Sequence, residues 1–406
     1  LIFPQQRPEE NFILSAIYLF PAGNTNKVYY TYRVPYNRLV FEKNNSKYYS
    51  EYSVGIEVFD STGNFIVRSS DGKKIETGDF EKTNMKFVYA EGMVEFEIPA
   101  GRFNLLPVFY NLKSGDEVKL PPVDLITSAY LDSKFLRPFI TDSLVFYCGD
   151  KTAAVLTNFE DNIPFSEQEY NLVIPAADTS LEKIFVTITG DDDTVFNDYV
   201  SRYTMSQTGF KKCNERIIVN NESASLRTKN FILSGFSGKT NPGKVKIFIS
   251  DSSKTAAAKM FEKAVSWYDK PQSLTNPDFA IRALKYIGEE KVMQDLINRS
   301  TDNRMKALFD YWKKYDPTPA TAFNPLMNEF YQRVDYAAIN FTPIAGKSGV
   351  DTDRGKILIQ FGKPQHVDRT YNEYGKIVET WIYEKPQRKF IFVDLKGTGD
   401  FSLTNG

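Results

Sequence analysis

From about residue 27 to residue 250 the apolar side chains of this chain recur at every second position in short runs, and that period decides most of what it can fold into. The clearest run is Tyr52-Ser53-Val54-Gly55-Ile56-Glu57-Val58-Phe59, the pattern of a strand buried on one face. Asp60-Ser61-Thr62-Gly63-Asn64 supplies turn chemistry before Phe65-Ile66-Val67, which predicts a hairpin. Val94-Glu95-Phe96-Glu97-Ile98 alternates again, Pro99-Ala100-Gly101 interrupts it, and Phe103, Leu105 and Phe109 resume on a following strand. Short strands separated by turn signals predict a sandwich.

A second block of the same kind runs from about 140 to 250, with Leu144–Cys148, Asn171–Ile174, Lys183–Ile188, Phe231–Leu233 and Lys244–Ile249 all of strand length. Polar turns such as Thr240-Asn241-Pro242-Gly243 separate them. After Ser250 the period changes. Asn276-Pro277 and Asn324-Pro325 each read as a helix cap followed by proline at the first helical position. Ala280, Leu284 and Ile287, then Met305, Leu308, Phe309 and Trp312, then Phe330, Val334, Ala337 and Phe341, fall on helical faces, which predicts three or four helices over about 254–341. Alternation returns in Ile357, Ile359 and Phe361, in Trp381 and Tyr383, and in Phe390–Val393, with Tyr371–Lys376 as a polar turn, so a small antiparallel sheet packed on the helices is expected.

A chain of 406 residues exceeds what one core sustains, since cores stop growing at about 250–300 residues. The expected architecture is β-rich and multidomain: an Ig-like antiparallel sandwich over 1–130, a second over 131–252, a helical region over 253–341, and a C-terminal α+β part over 342–406. Its 32 Phe and 24 Tyr favour sheet over helix, because aromatics fit pleated, half-buried surfaces. The 50 basic and 51 acidic side chains nearly cancel and no Lys/Arg block occurs, which argues against sequence-independent binding to nucleic acid or to an anionic membrane surface. No apolar run reaches the length of a transmembrane helix. The opening Leu1-Ile2-Phe3-Pro4-Gln5-Gln6-Arg7-Pro8 has no signal-peptide pattern, leaving a removed leader, an N-terminal lipid anchor or a trimmed end as the alternatives.

Cys148 and Cys213 are the two cysteines. They read either as buried thiols acting as small apolar groups or as a disulfide formed in an oxidising compartment. A bridge over that separation would contribute about 4 kcal/mol in the chain-entropy account. Two cysteines in a long chain need no staple, so the reading leans to free thiols.

The inventory makes several chemistries difficult. His366 is the single histidine, placed in an exposed loop with no nucleophile elbow or papain-like cysteine context elsewhere. Metal centres needing several imidazoles or thiolates are excluded by count. Asp351-Thr352-Asp353 fails the EF-hand pattern, because Gly355, Lys356 and Gly362 stand where an oxygen ligand, glycine and glutamate belong. Asp191-Asp192-Asp193 with Asp198 reads as a solvated hairpin tip, and no phosphate loop is present. No cofactor or metal is therefore expected, and no catalytic residue is assigned.

One region resembles a known family, the GWxTD-domain proteins of Bacteroidota and related bacteria. The matching elements are Phe309-Asp310-Tyr311-Trp312 with Asp316-Pro317-Thr318-Pro319, Asn328 to Ala337 including Arg333, then Gly349-Val350-Asp351-Thr352-Asp353-Arg354-Gly355, Phe361-Gly362-Lys363-Pro364, Glu379-Thr380-Trp381-Ile382-Tyr383 and Phe392-Val393-Asp394. The signature tryptophan stands as Val350 here. The resemblance implies an extracytoplasmic address (periplasm, outer-membrane surface or cell surface) and carries no catalytic residue. Read physically, Asp351, Asp353 and Arg354 form a charged staple entering a strand, with Asp353 or Arg354 pinned to Asp316 or Glu329, and with Gly355 and Gly362 permitting unusual backbone angles. The functional expectation is a non-enzymatic envelope scaffold or docking component for another envelope or outer-membrane protein. The alternative is a carbohydrate-binding or carbohydrate-active protein using paired carboxylates and aromatics.

Overall fold

Alternating apolar residues make strands here because each pleated face must meet another layer. The computed structural model describes residues 12–127, 134–144, 146–190, 193–220, 227–251, 258–344 and 346–405. The opening Leu1–Pro8, the acidic pair Asp191-Asp192, and the domain limits expected at 130/131 and 252/253 lie outside the described residues. The chain divides into two compact units, Leu1–Tyr268 and Asp269–Gly406.

The first unit begins with β1 (Leu14–Ala22), β2 (Thr25–Pro35), β3 (Glu42–Asn44), β4 (Lys47–Asp60) and β5 (Phe65–Thr77). A single-turn helix α1 (Phe80–Thr83) leads to β6 (Tyr89–Ile98), β7 (Gly101–Asn111), β8 (Glu117–Lys119) and β9 (Val123–Thr127). β1, β2 and β6 form one antiparallel sheet, while β3, β4, β5, β7, β8 and β9 form the other. The expected hairpin of 52–67 is the β4–β5 pair, with Asp60 accepting from Thr62 and Asn64 in the turn. Val28, Tyr30, Tyr32 and Val34 of β2 and Val94, Phe96 and Ile98 of β6 meet Val54, Ile56, Val58, Leu105 and Phe109 in the core.

The unit continues with β10 (Phe139–Asp142), β11 (Phe146–Cys148), β12 (Lys151–Ala153), β13 (Ile163–Pro164), β14 (Tyr170–Ala176), β15 (Ile184–Thr189), β16 (Thr194–Val200) and β17 (Tyr203–Ser206). β18 (Phe210–Cys213), β19 (Arg216–Val219), β20 (Thr228–Leu233), β21 (Gly243–Asp251) and β22 (Lys259–Ser266) complete it. β10-β14-β20-β17 form one sheet and β13-β22-β21-β15-β16 the other. β22 corrects an expectation, because 254–341 was read as helical throughout. Lys263 and Val265 are buried between more exposed neighbours, and this alternation pairs β22 with β21 instead of coiling it.

The sheet β1-β2-β6 is covered on both faces. Tyr18, Phe20, Tyr29 and Met93 point away from the first core and join Phe139, Leu156, Val173, Phe210, Ile217 and Val219 in a second one. Phe210 takes edge-on contacts from Tyr18, Phe20, Tyr29 and Phe139 at ring separations of 5.0 to 5.5 Å. Such edge-to-face pairs contribute beyond the area they bury.

Charged groups also cross this seam. Glu91 of β6 accepts from Arg33 of β2 and Arg216 of β19. Asp71 of β5 accepts from Tyr32 and Lys212. Asp161 accepts from Arg137, Tyr18 and the buried Lys263.

The second unit carries α2 (Pro277–Arg282), α3 (Glu290–Ile297), α4 (Thr301–Lys313), α5 (Pro325–Asn340) and α6 (Asp353–Phe361). A four-stranded antiparallel sheet follows in the order β23 (His366–Tyr371), β24 (Ile377–Glu384), β25 (Gln387–Val393) and β26 (Ser402–Asn405). Asn276 and Asn324 cap α2 and α5 by accepting from Phe279 and Met327, as the Asn-Pro pairs predict. The protein is thus β-rich, with several antiparallel sheets, a helical segment and a small C-terminal sheet.

Candidate functional site

The signature forms a helix, which corrects the strand read from Ile357, Ile359 and Phe361. Gly349–Asp351 make one 3-10 turn, and α6 begins directly after Thr352. The Thr352 hydroxyl donates to the Gly349 carbonyl at 2.7 Å and accepts from the Gly355 N–H at 3.0 Å, so it caps α6. Arg354, Ile357, Leu358 and Ile359 are buried, and Leu358, on the face the strand reading left to solvent, is the residue that breaks the two-residue period.

Two glycines make this clasp sterically possible. A Cβ on Gly349 would lie 2.1 Å from the Ala337 carbonyl oxygen, at the end of α5. A Cβ on Gly355 would lie 2.1 Å from the Gly349 carbonyl oxygen. Gly355 is therefore required for close approach, not for the unusual backbone angle expected of it; Gly362, at φ +77°, is the one in the left-handed region. Replacing Gly349 by alanine forces backbone to move and is expected to destabilise the second unit by about 3 kcal/mol. Chemical denaturation checks this, and an unchanged midpoint would disprove the clasp.

Each expected site residue has a defined partner. Asp351 accepts from the Tyr286 hydroxyl at 2.6 Å and from Lys285 at 3.0 Å. Burial pushes its carboxyl up, yet the Tyr286 and Lys285 bonds outweigh burial and hold it below its ordinary value. Asp353 accepts from the Leu403 N–H at 3.0 Å and pairs with Lys356 at 3.2 Å, tying the start of α6 to β26. The expected pinning to Asp316 or Glu329 is not found: Asp316 accepts from Thr318 in a local turn, and Glu329 pairs with Arg333 one helical turn away. Arg333 also donates to the Ile359 carbonyl at 3.4 Å, and its guanidinium covers Gly362. Pro364 follows that left-handed glycine, whose carbonyl accepts from Tyr383 at 2.8 Å.

The centre of the arrangement is Glu379 on β24, which the family resemblance includes in Glu379–Tyr383 without assigning it a role. It is buried and accepts from Arg369 at 2.7 Å, from the Trp381 indole at 2.7 Å and from Arg354 at 3.4 Å. Burial raises its carboxyl, but those hydrogen bonds and the two guanidinium charges together hold it below its ordinary value. Arg354 also donates to the Gly399 carbonyl at 3.1 Å and lies between the rings of Phe341 and Phe401, 4.7 and 3.9 Å from their centroids. Val350 is buried where the family signature has tryptophan. The sequence reading names Asp353 and Arg354 as a charged staple, whereas Glu379 stands in a matching element with nothing local to show that it is the buried carboxylate partnering Arg354.

Elsewhere, Cys148 on β11 and Cys213 on β18 form a disulfide with Cα atoms 6.0 Å apart, where the sequence reading leaned to free thiols. The bond joins two small two-stranded sheets that share the cluster of Val155, Ile218, Phe146 and Ala153. His366 opens the edge strand β23 rather than sitting in a loop, exposed and 3.6 Å from Glu384. Asp198 accepts only its neighbour's backbone N–H at Tyr199 in what is described of it. Among the described residues, no helix is long and apolar enough to cross a membrane.

This clasp of capped helix, paired guanidinium groups and small antiparallel sheet defines the C-terminal part as an α+β module whose polar signature is bonded internally. Residues 247–402 match the family model of the GWxTD domain, and this stretch of the chain is a GWxTD domain. No curated protein matches the sequence. Among solved structures, a glycosyl hydrolase family 2 member from Bacteroides cellulosilyticus is similar at 11% identity and a TM-score of 0.18, covering 63% of this chain and 29% of its own. The C-terminal domain of the antigen I/II-family protein AspA of Streptococcus pyogenes follows at 6% identity and a TM-score of 0.17, covering 63% of this chain and all of its own. Escherichia coli alpha-2-macroglobulin activated by porcine elastase shows 9% identity and a TM-score of 0.16, over 64% of this chain and 22% of its own. The chain thus spans under a third of the hydrolase, and likeness at these scores carries no argument about activity.

Proposed function

We propose that this chain is a non-enzymatic, extracytoplasmic envelope protein that acts as a scaffold or docking component for another envelope or outer-membrane protein. The observation that carries the reading is the fate of the signature: Asp351, Thr352, Asp353, Arg354 and Trp381 all bond within the second unit. Groups spent in this way hold a shape, and a held shape suits docking better than turnover. The Cys148–Cys213 disulfide supports the address, since such bonds persist in oxidising compartments and are rare in a reducing cytosol.

Two measurements on protein from its native cells test the two halves of the proposal. Mass mapping after thiol alkylation is expected to find Cys148 and Cys213 joined; two free thiols would overturn the address. Purification of the protein from mild-detergent extracts of native envelope, after chemical cross-linking, is expected to recover one envelope protein in stoichiometric amount. Recovery of the chain alone would overturn the scaffold.

A further inference from the structure

The small sheet of the second unit has two edges, and only one of them is closed. At β26 the Leu403 N–H points away from β25 and is taken by the Asp353 carboxylate at the start of α6. At β23, the other edge, all six residues are exposed. The Asn372 N–H donates to the Lys376 carbonyl just past β23, which puts the even-numbered residues of the strand on the bonded side of its pairing with β24. Val367, Arg369 and Tyr371 therefore aim their N–H and C=O groups outward, and among the described residues nothing meets them. An edge left open in this way is a template for another strand.

The same three residues lie beyond the cover of the helices. Val367 stands opposite Trp381 and Arg369 opposite Glu379, on the face that is buried in β24. Val367 is nevertheless 52% exposed and Tyr371 74%. An added strand would lay alternate side chains against them.

Charge indicates what kind of strand. Pairing of His366 with Ile382, of Ile382 with Lys389 and of Tyr383 with Arg388 gathers Lys363, Lys385, Arg388 and Lys389, all exposed, at the end of the sheet where β23 begins. Lys363 lies over the Tyr336 ring and Arg388 over the Phe361 ring, and none of these cations has a carboxylate partner among the described residues. The carboxylates nearby are fewer. Glu384 stands 3.6 Å from His366, Asp368 lies two residues along β23, and Glu329 is neutralised by Arg333.

We propose that β23 accepts an extended acidic segment of a partner protein as a fifth strand. Its main chain bonds to Val367, Arg369 and Tyr371, and its carboxylates meet Lys363, Lys385, Arg388 and Lys389. A polyanion without a peptide backbone would satisfy the lysines and leave the edge open, so it is the poorer fit. The proposal rests on the scaffold reading and adds to it a surface and a partner chemistry.

Fluorescence anisotropy of the full chain with short labelled peptides tests it, with glutamate alternating with threonine, lysine with threonine, or glutamate with proline. The glutamate–threonine peptide is expected to bind at least about tenfold more tightly than the others, because lysine has the wrong charge and proline lacks the N–H that an added strand donates. Lys385→Glu/Lys389→Glu is expected to weaken it by about tenfold or more, and added salt to do the same. Val367→Pro removes an outward N–H without breaking a bond to β24, and is expected to weaken it as well. The substituted positions are exposed, so thermal unfolding of both variants should match the parent. Absence of binding, equal binding of the glutamate–proline peptide, or unchanged affinity in either variant would overturn the proposal. A partner cross-linked in native envelope equally by Lys385→Glu/Lys389→Glu and by the parent would overturn this surface and leave the scaffold standing, whereas recovery of the chain alone would overturn the scaffold itself.

Discussion

Glu379→Ala is expected to lower the stability of the second unit by about 4 kcal/mol, the scale on which a buried ion pair fails when one partner is removed. The loss is large because two guanidinium groups and an indole N–H converge on one buried carboxylate. Arg354 would remain buried between Phe341 and Phe401 without its carboxylate partner, bonded to the Gly399 carbonyl. Arg369→Ala removes the exposed partner and is expected to cost less than about 1 kcal/mol. Urea denaturation of both variants separates a hub from an ordinary surface pair, and equal losses would contradict the hub. The pH dependence has a fixed sign. Because the folded carboxyl of Glu379 titrates below its unfolded value, its contribution is complete above the ordinary carboxylate range and disappears as pH falls through the depressed folded value.

Lys263→Met is expected to destabilise the first unit by about 3 kcal/mol, because it removes the buried partner of the Asp161 carboxylate and leaves that carboxylate to the more exposed Arg137 and the Tyr18 hydroxyl. Lys263 on β22 is fully enclosed, and burial lowers its ammonium pKa despite the Asp161 carboxylate beside it. It donates both to that carboxylate and to the Asp161 carbonyl at 3.1 Å. Asp161 is in the left-handed region at φ +61°, within a run where Asn158 and Glu160 also have positive φ. Such a backbone persists only where its surroundings hold it, and Lys263 is one of the groups that do so. Lys263→Met/Asp161→Asn removes both charges and keeps a residue tolerant of that backbone, so about half of the loss should return. No recovery in the double variant would mean that the methionine fails by packing rather than by removing the buried partner of a carboxylate.

What could be read in the sequence was whatever depends on neighbours along the chain. Period-two alternation placed β4 and β5, and Asn-Pro pairs placed the starts of α2 and α5. The same rule misplaced α6, since Ile357, Ile359 and Phe361 alternate on paper while Leu358 and Arg354 also turn inward. Thr352 before and Gly362 after were the available signs of a helix, a cap and a left-handed stop. The partners of Arg354 and Asp353 were out of reach for a different reason. Glu379 and Leu403 stand 25 and 50 residues away along the chain, and an ion pair across that distance leaves no pattern. The seam charges Lys263, Asp161, Arg33 and Glu91 look like any solvated residues until the sheets enclose them.

The sheet β1-β2-β6 has no outer face, and this constrains how the protein can be cut or inherited. A fragment ending after β9 would offer Tyr18, Phe20, Tyr29 and Met93 to water as one contiguous aromatic surface, the kind that drives self-association. A fragment starting at β10 would do the same with Phe139, Val173 and Phe210. Two sandwiches by architecture are one unit of solubility: neither half is a portable module, and recombination that separates them leaves two insoluble pieces where there was one folded protein.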